Sequence, residues 1–316
     1  MDGEAGRGFT ERDACPACGG TSHRALVDLP YTAPPISEYL LGFYGGGAGT
    51  TMLGELEGIR FTLFQCEDCG MIWQRSTPGS TFLARLYEEW IGETDTFDRD
   101  VAAGLGDRLP VVRELTAIIA GLGGPPGGLR VLDFGMGWGR WLLIARGLGC
   151  QVWGVELAEE KRRHAAALAI PILGWDEIVD HQFELVNTEQ VFEHLVDPHE
   201  TLLHLCRALA PGGLLKVSVP PGGDVGRRLR ANDWNAPKRT RNSLNAVAPL
   251  EHLNCYAGRS LLALAERVGL EPVSLPVGAY FEMVSFTGGP RNIAKQVLKP
   301  FFPTRGGAYR FFRRAS

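Results

Sequence analysis

Four cysteines in two pairs, Cys15-Pro-Ala-Cys18 and Cys66-Glu-Asp-Cys69, have the spacing of metal-binding knuckles. A CxxC turn lets two thiolates point at one ion. The glycine after each pair, Gly19 or Gly70, permits the tight backbone that donates N–H groups to sulfur. Two such turns complete a set of four thiolates, the closed arrangement of structural zinc. The sequence therefore predicts a structural Zn²⁺ site with the ligands Cys15, Cys18, Cys66 and Cys69.

Two other interpretations of the cysteines are a redox pair and plain buried thiols. A redox CxxC normally stands alone at a helix start, whereas two pairs are present here. His23 is an alternative metal ligand, although a lone histidine near a knuckle is more often a surface residue. Cys150, Cys206 and Cys255 lie in apolar or mixed segments and are predicted to pack as small hydrophobic residues. Because four thiolates leave no open coordination position, we expect the metal to stabilise the fold rather than to take part in chemistry.

Glycine occupies every second position of a turn in Asp133-Phe134-Gly135-Met136-Gly137-Trp138-Gly139. A strand pattern precedes this turn and a helical pattern follows it, which places a ligand against bare backbone at the carboxyl end of a strand. The dinucleotide pattern G-x-G-x-x-G fails because Arg140 stands where its third glycine is needed, and no G-K-[ST] follows to make a P-loop. Glu156, an acidic residue, ends the next predicted strand.

The elements around this turn alternate between strand and helix patterns. Strands are predicted at 129–134, 151–155, 171–173, 183–187 and 214–219, and helices at 81–91, 109–122, 139–148, 158–168 and 198–209. Alternation implies an α/β fold, a doubly wound Rossmann-like and mostly parallel sheet. The predicted domains are a zinc-binding module (1–79), a helical connection (80–128), a catalytic domain (129–290) and a basic, aromatic tail (291–316). The glycine run 45–49 is predicted to be a flexible part of the module.

In this order the segments resemble the class I S-adenosylmethionine (SAM)-dependent methyltransferases. Residues 131–139 look like the first motif of that family, and Val155-Glu156 looks like its acidic second position. Residues 183–195 are similar to its fourth-strand segment, and 210–215 to the turn into its fifth strand. The cysteine pairs and Glu251-His252-Leu253 resemble a subgroup that includes methyltransferases of nucleotide-linked sugars and natural products. Glu184 and Gln190 depart from the pattern, since the family more often has aspartate there.

The resemblance implies SAM as the cofactor, and the residue chemistry agrees with it. Carboxylates accept hydrogen bonds from ammonium and ribose hydroxyl groups, glycines let the methionyl portion approach, and an aromatic ring covers adenine. The predicted cofactor-binding residues are Asp133, Gly135, Gly137, Gly139, Glu156, Trp175, Asp176, Thr188 and Glu189. Taken alone, Asp133 or Glu156 would be a solvated strand end, and Trp175 and Asp176 fit a solvated surface equally well.

An oxygen or carbon acceptor must lose a proton, and imidazole accepts protons near neutral pH. His252 is the predicted general base, with Glu251 and Tyr256 beside it, and His194 is the second choice. The alternative role for His252 is to cap a helix that begins near Ala257.

Composition narrows the class of protein. With 45% apolar and 22% charged residues, the chain is predicted to be globular, and no run approaches the roughly 20 apolar residues of a membrane span. Its polar start, Met1 to Arg12, has no apolar signal-peptide core, so a cytoplasmic location is expected. The net charge of -4 argues against a protein that coats nucleic acid.

The predicted function is therefore methyl transfer to an oxygen or carbon of a small polar metabolite, such as a nucleotide-linked sugar or a natural-product intermediate. The basic stretch 220–250 suits a phosphorylated acceptor, although a solvated loop explains it as well. One alternative is a nucleic-acid methyltransferase that uses the zinc module and the tail as grips. Another is a non-catalytic protein that binds the cofactor. For the oligomeric state, the sequence is compatible with both a monomer and a homodimer.

Overall fold

The computed structural model describes residues 8–86, 90, 97–98, 101–238, 240–284, 289–298 and 309–315. Its strands are β1 (Phe9–Glu11), β2 (His23–Pro30), β3 (Arg60–Cys66), β4 (Ile72–Gln74), β5 (Ser76–Pro78), β6 (Arg130–Phe134), β7 (Gln151–Val155), β8 (Phe183–Glu189), β9 (Leu209–Ser218), β10 (Asn254–Cys255), β11 (Leu270–Val273) and β12 (Tyr309–Arg314). Its α-helices are α1 (Ile36–Tyr44), α2 (Gly46–Glu55), α3 (Ser80–Arg85), α4 (Leu105–Leu122), α5 (Arg140–Gly147), α6 (Glu159–Ala167), α7 (Pro198–Arg207), α8 (Val225–Ala231), α9 (Gly258–Glu266), α10 (Val277–Glu282) and α11 (Pro290–Leu298). Within these ranges, no helix has both the length and the apolar content needed to cross a membrane.

A six-stranded sheet in the order β7-β6-β8-β9-β12-β11 forms the centre of the molecule. Strands β7, β6, β8 and β9 pair in parallel, and β12 pairs antiparallel with both β9 and β11. The predicted doubly wound α/β fold is confirmed. The chain leaves β6 toward β7 on one side and later returns to β8 on the other, so the strand order reverses at β6. Open α/β sheets bind ligands in the crevice at such a reversal, beyond the carboxyl ends of the strands.

The C-terminal segment predicted as a separate tail contributes a strand to this sheet. β12 lies between β9 and β11, with Phe311 paired to Lys216 and Phe312 to Leu215. Phe312 is buried in the hydrophobic cluster that contains Leu132, and Phe311 in the one that contains Val131. The aromatic side chains of this segment thus pack on the domain that carries the sheet, and the burial of their apolar surface stabilises this arrangement. Residues 299–308 and 316 of the predicted tail lie outside the described residues.

Two further local predictions were wrong. The strand expected at 171–173 reduces to one bridge between Gly154 and Ile172. The glycine run is no loose excursion: Gly45, with φ of 69°, ends α1, and α2 begins at Gly46. A positive φ at a glycine is the ordinary way to end a helix, so Gly45 separates the two helices, and the rest of the run lies in α2. Of the predicted helix 81–91, residues 87–89 and 91 lie outside the described residues.

The N-terminal module is joined to the catalytic domain by strand pairing. β2, β3 and β4 form an antiparallel sheet whose fourth strand is β10, contributed from far along the chain. Cys15, Cys66 and Trp73 are buried in the same hydrophobic cluster as Leu132 and Val186 of the central sheet. The module therefore packs against the catalytic sheet and extends its core.

Candidate active site

The glycine loop follows β6 and turns into α5. Gly135, Gly137 and Gly139 have φ angles of 78°, 57° and 78°, a region that side chains with a Cβ seldom adopt. A Cβ at Gly135 would lie 2.6 Å from Val191 Cγ2, whereas a Cβ at Gly137 would meet no described atom within 4 Å. The backbone at Gly137 thus borders open space at the carboxyl end of β6.

Asp133 is held in place by Asn187, a residue that the sequence analysis did not single out. The two residues are paired in register on β6 and β8, and Asn187 Nδ2 donates to Asp133 Oδ1 at 2.7 Å. Burial raises the pKa of Asp133 to about 7, although the Asn187 bond and the Lys216 charge work in the opposite direction. Asn187 Oδ1 is buried and has no hydrogen-bond partner among the described residues. The pair therefore offers two hydrogen-bond acceptors at the crevice: the titratable carboxylate of Asp133 and the unmatched Oδ1 of Asn187.

Glu156 lies across the glycine loop. One carboxylate oxygen accepts from the backbone N–H of Gly137 at 3.0 Å, and the other accepts from the N–H groups of Leu157 and Ala158. Each carboxylate oxygen has two lone pairs. The two N–H groups on Oε1 and the one on Oε2 fix the orientation of the carboxylate and leave one lone pair, on Oε2, for a hydroxyl group. The structure thus brings Glu156 to the backbone of Gly137, as expected for a shared ligand.

Trp175 and Asp176 lie at the rim. Trp175 is 40% exposed and stacks on His204 with ring centroids 3.9 Å apart. Its ring centroid is also 6.2 Å from that of Phe134, the last residue of β6. Asp176 is exposed and begins a short 3-10 turn, Asp176–Asp180. Both residues lie near the carboxyl end of β6, on the surface.

The end of β8 differs from the expectation for Thr188. Its side chain is fully buried and donates to the backbone carbonyl of Lys216 at 3.0 Å, so this hydroxyl belongs to the sheet and not to the crevice. Glu189 is half exposed and accepts from Lys216 Nζ at 2.8 Å and Ser218 Oγ at 2.9 Å. Lys216, which the sequence analysis missed, is buried and also binds Glu114 at 2.8 Å. These two carboxylates raise the pKa of Lys216 despite its burial, so the lysine is charged.

The two candidate bases lie next to each other. The His194 and His252 rings have centroids 4.8 Å apart and are nearly perpendicular. Burial lowers the pKa of His194 to about 4 and that of His252 to about 3. Both imidazoles are therefore neutral at pH 7. His252 does not cap the following helix, because the Ser260 side chain binds the backbone N–H of Ala257 there.

The residues that flank His252 have other partners. Glu251 accepts from Tyr44 Oη of α1 at 2.9 Å, and its backbone carbonyl accepts from His194 Nδ1 at 2.9 Å. Tyr256 is fully buried and donates to the backbone carbonyl of Phe192 at 3.4 Å. The Tyr256 hydroxyl therefore lies in the core beside the turn that carries His194, and a role of Tyr256 in the site stays a prediction.

Glu193 is a member of the site that the sequence analysis named only within a motif. It lies in the short turn Phe192–His194, is buried, and has one carboxylate oxygen 3.9 Å from His194 Nε2. Burial raises the pKa of Glu193 to about 8. The available signal was the Glu-His-Leu sequence that occurs both here and at Glu251.

Two residues of the N-terminal module hold the segments that carry these side chains. The buried amide of Gln74 donates to the backbone carbonyls of Ala248 and His252, each at 3.0 Å. Arg12 donates to the backbone carbonyls of Val196 and Leu253, each at 3.0 Å. The module therefore positions the histidine segments directly.

The four predicted zinc ligands lie together. All four sulfur atoms lie within 4.8 Å of one another, with Cys15–Cys69 at 3.6 Å and Cys18–Cys66 at 3.5 Å. Gly19 and Gly70 have φ angles near 78°, and the N–H of Gly20 donates to Cys18 Sγ. Zn–S bonds of about 2.3 Å in a tetrahedron require sulfur separations of about 3.8 Å, so the four thiolates fit a zinc ion. His23 packs on Phe64 and is not in this group.

The basic stretch 220–250 is largely engaged in its own structure. Arg227 and Arg228 both form ion pairs with Asp224 and donate to backbone carbonyls of Arg241 and Ser243. Lys238 instead lies over the Phe43 ring, with Nζ 4.9 Å from the ring centroid. Arg239 lies outside the described residues.

Comparison with known proteins gives a family. The model of the methyltransferase domain family matches residues 107–275, which is more than half of the chain. The ubiquinone biosynthesis O-methyltransferase of Caulobacter sp. (strain K31) is 35% identical over 104 residues, which are 29% of this chain and 41% of the relative. That of Maricaulis maris (strain MCS10) is 32% identical over 124 residues, 34% of this chain and 48% of the relative. The chain thus spans less than half the length of these curated relatives.

Among solved structures, the plantazolicin methyltransferase in complex with SAH has a TM-score of 0.48 and 13% identity, covering 74% of this chain and 94% of its own. A sugar N-methyltransferase from Streptoalloteichus sp ATCC 53650 has a TM-score of 0.44 and 14% identity, covering 71% and 93%. The family match, with the parallel sheet and glycine loop inside it, decides the assignment: the chain belongs to the methyltransferase domain family.

Proposed function

We propose that this protein transfers a methyl group from SAM to an oxygen of a small polar metabolite. The observation that carries the proposal is that the glycine loop, Asp133 and Glu156 lie at the same sheet edge as a pair of neutral histidines. The relatives named O-methyltransferases favour oxygen over carbon. Carbon remains the second acceptor atom.

The residues of the chain fit the cofactor. The unmatched Asn187 Oδ1 and the carboxylate of Asp133 offer acceptors for an ammonium group, and Glu156 Oε2 offers one more acceptor for a ribose hydroxyl. Gly137 borders open space where a Cβ would lie, and Trp175 is 40% exposed at the rim. When bound, the cofactor supplies an electrophilic methyl group on sulfonium. The protein then has to align the acceptor and handle its proton.

His252 is the proposed general base, with His194 as the second candidate. Its Nδ1 is buried and has no hydrogen-bond partner among the described residues, and its ring is neutral at pH 7. An imidazole with such a depressed pKa is a weak base, so the acceptor must carry an acidic hydroxyl or have its hydroxyl made acidic in the site.

A small aromatic cavity beside the histidines supports a ring-shaped, anionic acceptor. The cavity has a volume of about 260 Å³ and is lined by residues that include Tyr39, Phe43, Trp234, Lys238 and Asn245. The Tyr39 and Phe43 rings are stacked at 5.6 Å, which presents aromatic surface to a planar ligand. Hydrogen bonds link this cavity to the histidines. Asn245 of the lining accepts from the N–H of Ala248, and Ala248 accepts from the N–H of His252. We propose that Lys238 binds a phosphate or carboxylate of the acceptor.

The test is incubation of the protein with methyl-labelled SAM and fractionated cell metabolites. Label in anionic small molecules is expected, and SAM binding is measured separately by calorimetry. Label confined to RNA or DNA would replace the proposal with a nucleic-acid methyltransferase. Binding of SAM without label in any fraction would favour the non-catalytic alternative. Once an acceptor is found, Lys238→Ala should raise its KM, whereas Lys161→Ala, which removes a lysine near the Trp138 ring, should not.

A further inference from the structure

Glu193, His194 and His252 form a second group of metal-binding side chains, separate from the four cysteines. One carboxylate oxygen and one imidazole nitrogen from each histidine lie within 4.8 Å of one another. Two histidines and one carboxylate are a common ligand set for divalent transition metals, and they leave coordination positions open. The four-thiolate site, in contrast, is complete.

Two atoms of this group are buried without partners. Glu193 Oε2 and His252 Nδ1 have no hydrogen-bond partner among the described residues, although Glu193 is 1% exposed and His252 is 8% exposed. An unmatched buried polar atom costs roughly 1–3 kcal/mol, and more when it is charged. A bound cation would satisfy the carboxylate and an imidazole lone pair together.

The tautomer of His194 also suits a ligand. Its Nδ1 lies 2.9 Å from the backbone carbonyl of Glu251, which can only accept a hydrogen bond. Nδ1 therefore carries the proton, and Nε2, which is 3.9 Å from Glu193 Oε1, carries the lone pair. A hydrogen bond from the second ring nitrogen to a backbone carbonyl is the usual way in which proteins orient a metal-binding histidine.

The backbone around the three residues is fixed before any ligand binds. Asn254 Nδ2 donates to the carbonyls of Phe192 and Leu195, on either side of Glu193 and His194. The amide of Gln74 holds the carbonyl of His252. Such bonds set the separations of the three side chains, which is what a metal site requires.

We propose that Glu193, His194 and His252 bind one divalent transition-metal ion, such as Zn²⁺, Mn²⁺ or Fe²⁺, which activates the hydroxyl of the acceptor. The inference rests on the proposed function for its acceptor, and it changes His252 from base to ligand. A hydroxyl bound at an open coordination position loses its proton to water more easily. The oxygen lone pair then forms the bond to the methyl carbon, and the electrons of the broken carbon–sulfur bond stay on sulfur.

The first test counts metal ions in the full-length protein by mass spectrometry after dialysis against Zn²⁺. Two ions per chain are expected for the wild type and one for Glu193→Gln or His252→Asn. His199→Ala, which removes a histidine of α7 outside the group, should keep two. The proposal would be overturned if the wild type held one ion per chain, Glu193→Gln also held one, and Cys69→Ser held none.

A spectroscopic measurement keeps the test valid if a variant folds poorly. Co²⁺ bound to thiolates gives intense sulfur-to-metal charge-transfer bands, whereas Co²⁺ bound to imidazole and carboxylate gives only weak d–d bands. Wild-type protein titrated with Co²⁺ should show both sets in sequence, and thiolate bands alone would contradict the proposal. SAM binding is measured on the same samples, so the two proposals can fail separately. A protein that binds two metal ions but no SAM would contradict the proposed function. A protein that binds SAM but only one metal ion would contradict this inference.

Discussion

Gln74 donates a hydrogen bond of 3.0 Å to the backbone carbonyl of His252, and this bond connects the N-terminal module to the candidate base. Gln74 is on β4 of the cysteine module, and its side chain is 1% exposed. Its amide oxygen accepts from Tyr31 Oη at 3.0 Å, and its amide nitrogen also donates to Ala248. One buried amide therefore sets the path of the chain just before His252.

Gln74→Ala should lower both stability and turnover. It removes the Gln74 bonds to the His252 carbonyl, the Leu250 N–H and the Tyr31 hydroxyl in the core, and each unmatched group costs about 1–3 kcal/mol. The Ala248 carbonyl keeps its bond from the His252 N–H. Partial rescue by water reduces the total, so we expect a loss of about 2–4 kcal/mol in the free energy of unfolding. Urea denaturation measures it, and kcat should fall more than SAM affinity.

Gln65→Ala is the matched control. Gln65 is on the neighbouring strand β3, and its amide oxygen accepts from the exposed Arg24 side chain. Its loss should change the free energy of unfolding by less than about 1 kcal/mol. Equal effects of the two substitutions would show that Gln74 has no special role.

Removing zinc should destabilise the catalytic site as well as the module. Cys15, Cys66 and Cys69 are buried in the hydrophobic cluster that includes Leu132 and Val186, and Cys18 packs against it, so loss of zinc would leave three buried thiols and one half-buried thiol uncompensated there. We expect a strong chelator, or Cys69→Ser, to lower Tm by more than about 5 °C in calorimetry. Loss of bound zinc is measured on the same sample.

Cys150→Ala removes a buried thiol that is not one of the four zinc ligands, and we expect this variant to retain its zinc. An unchanged Tm after full loss of zinc would mean that the metal does not stabilise this fold.

Much of the fold follows from periodicity, whereas the contacts between distant segments do not. The glycine pattern at residues 135–139 and the cysteine spacing are local signals, because short backbone turns impose them. Lys216 looks like a surface residue within an apolar strand, and only the neighbouring Glu189 and Glu114 explain its burial.

The strand β12 shows the same limit. Its basic and aromatic composition does not predict a strand, and it forms one by pairing with both β9 and β11, which are distant in sequence. Likewise, Asn187 can bind Asp133 only because the register of β6 and β8 puts the two residues side by side. Such pairings depend on the whole chain, so a local pattern cannot reveal them.

SAM binding should tighten with pH if Asp133 binds the cofactor ammonium. Burial raises the pKa of Asp133 to about 7, above its ordinary value of 3.8, so the unbound protein carries this proton below pH 7. Binding of a cation requires the carboxylate. We therefore expect Kd to fall several-fold between about pH 6 and pH 8 and to level off above that range, as calorimetry can measure.

Asp133→Asn should weaken binding and abolish this pH dependence, while Asp180→Asn, at an exposed position, should change neither. A Kd that stays constant from about pH 6 to pH 8 in the wild type would remove Asp133 from the cofactor site. The same raised pKa implies that the unbound protein loses stability as pH rises from about 4 to 7, because the folded state then holds a proton that the unfolded chain releases.

Lys216→Met should destabilise the protein, chiefly because it leaves the carboxylate of Glu114 without its cationic partner. The ammonium group lies 2.8 Å from both Glu114 and Glu189, whose side chains are 18% and 50% exposed. Breaking a buried pair costs about 3–5 kcal/mol, and access of water to both carboxylates should limit the loss here to about 2–3 kcal/mol. The Glu114→Gln/Lys216→Met double variant should recover part of this loss, because it removes the more buried uncompensated charge. A double variant less stable than Lys216→Met, measured by urea denaturation, would show that the cost comes from lost packing of the lysine and not from the carboxylate.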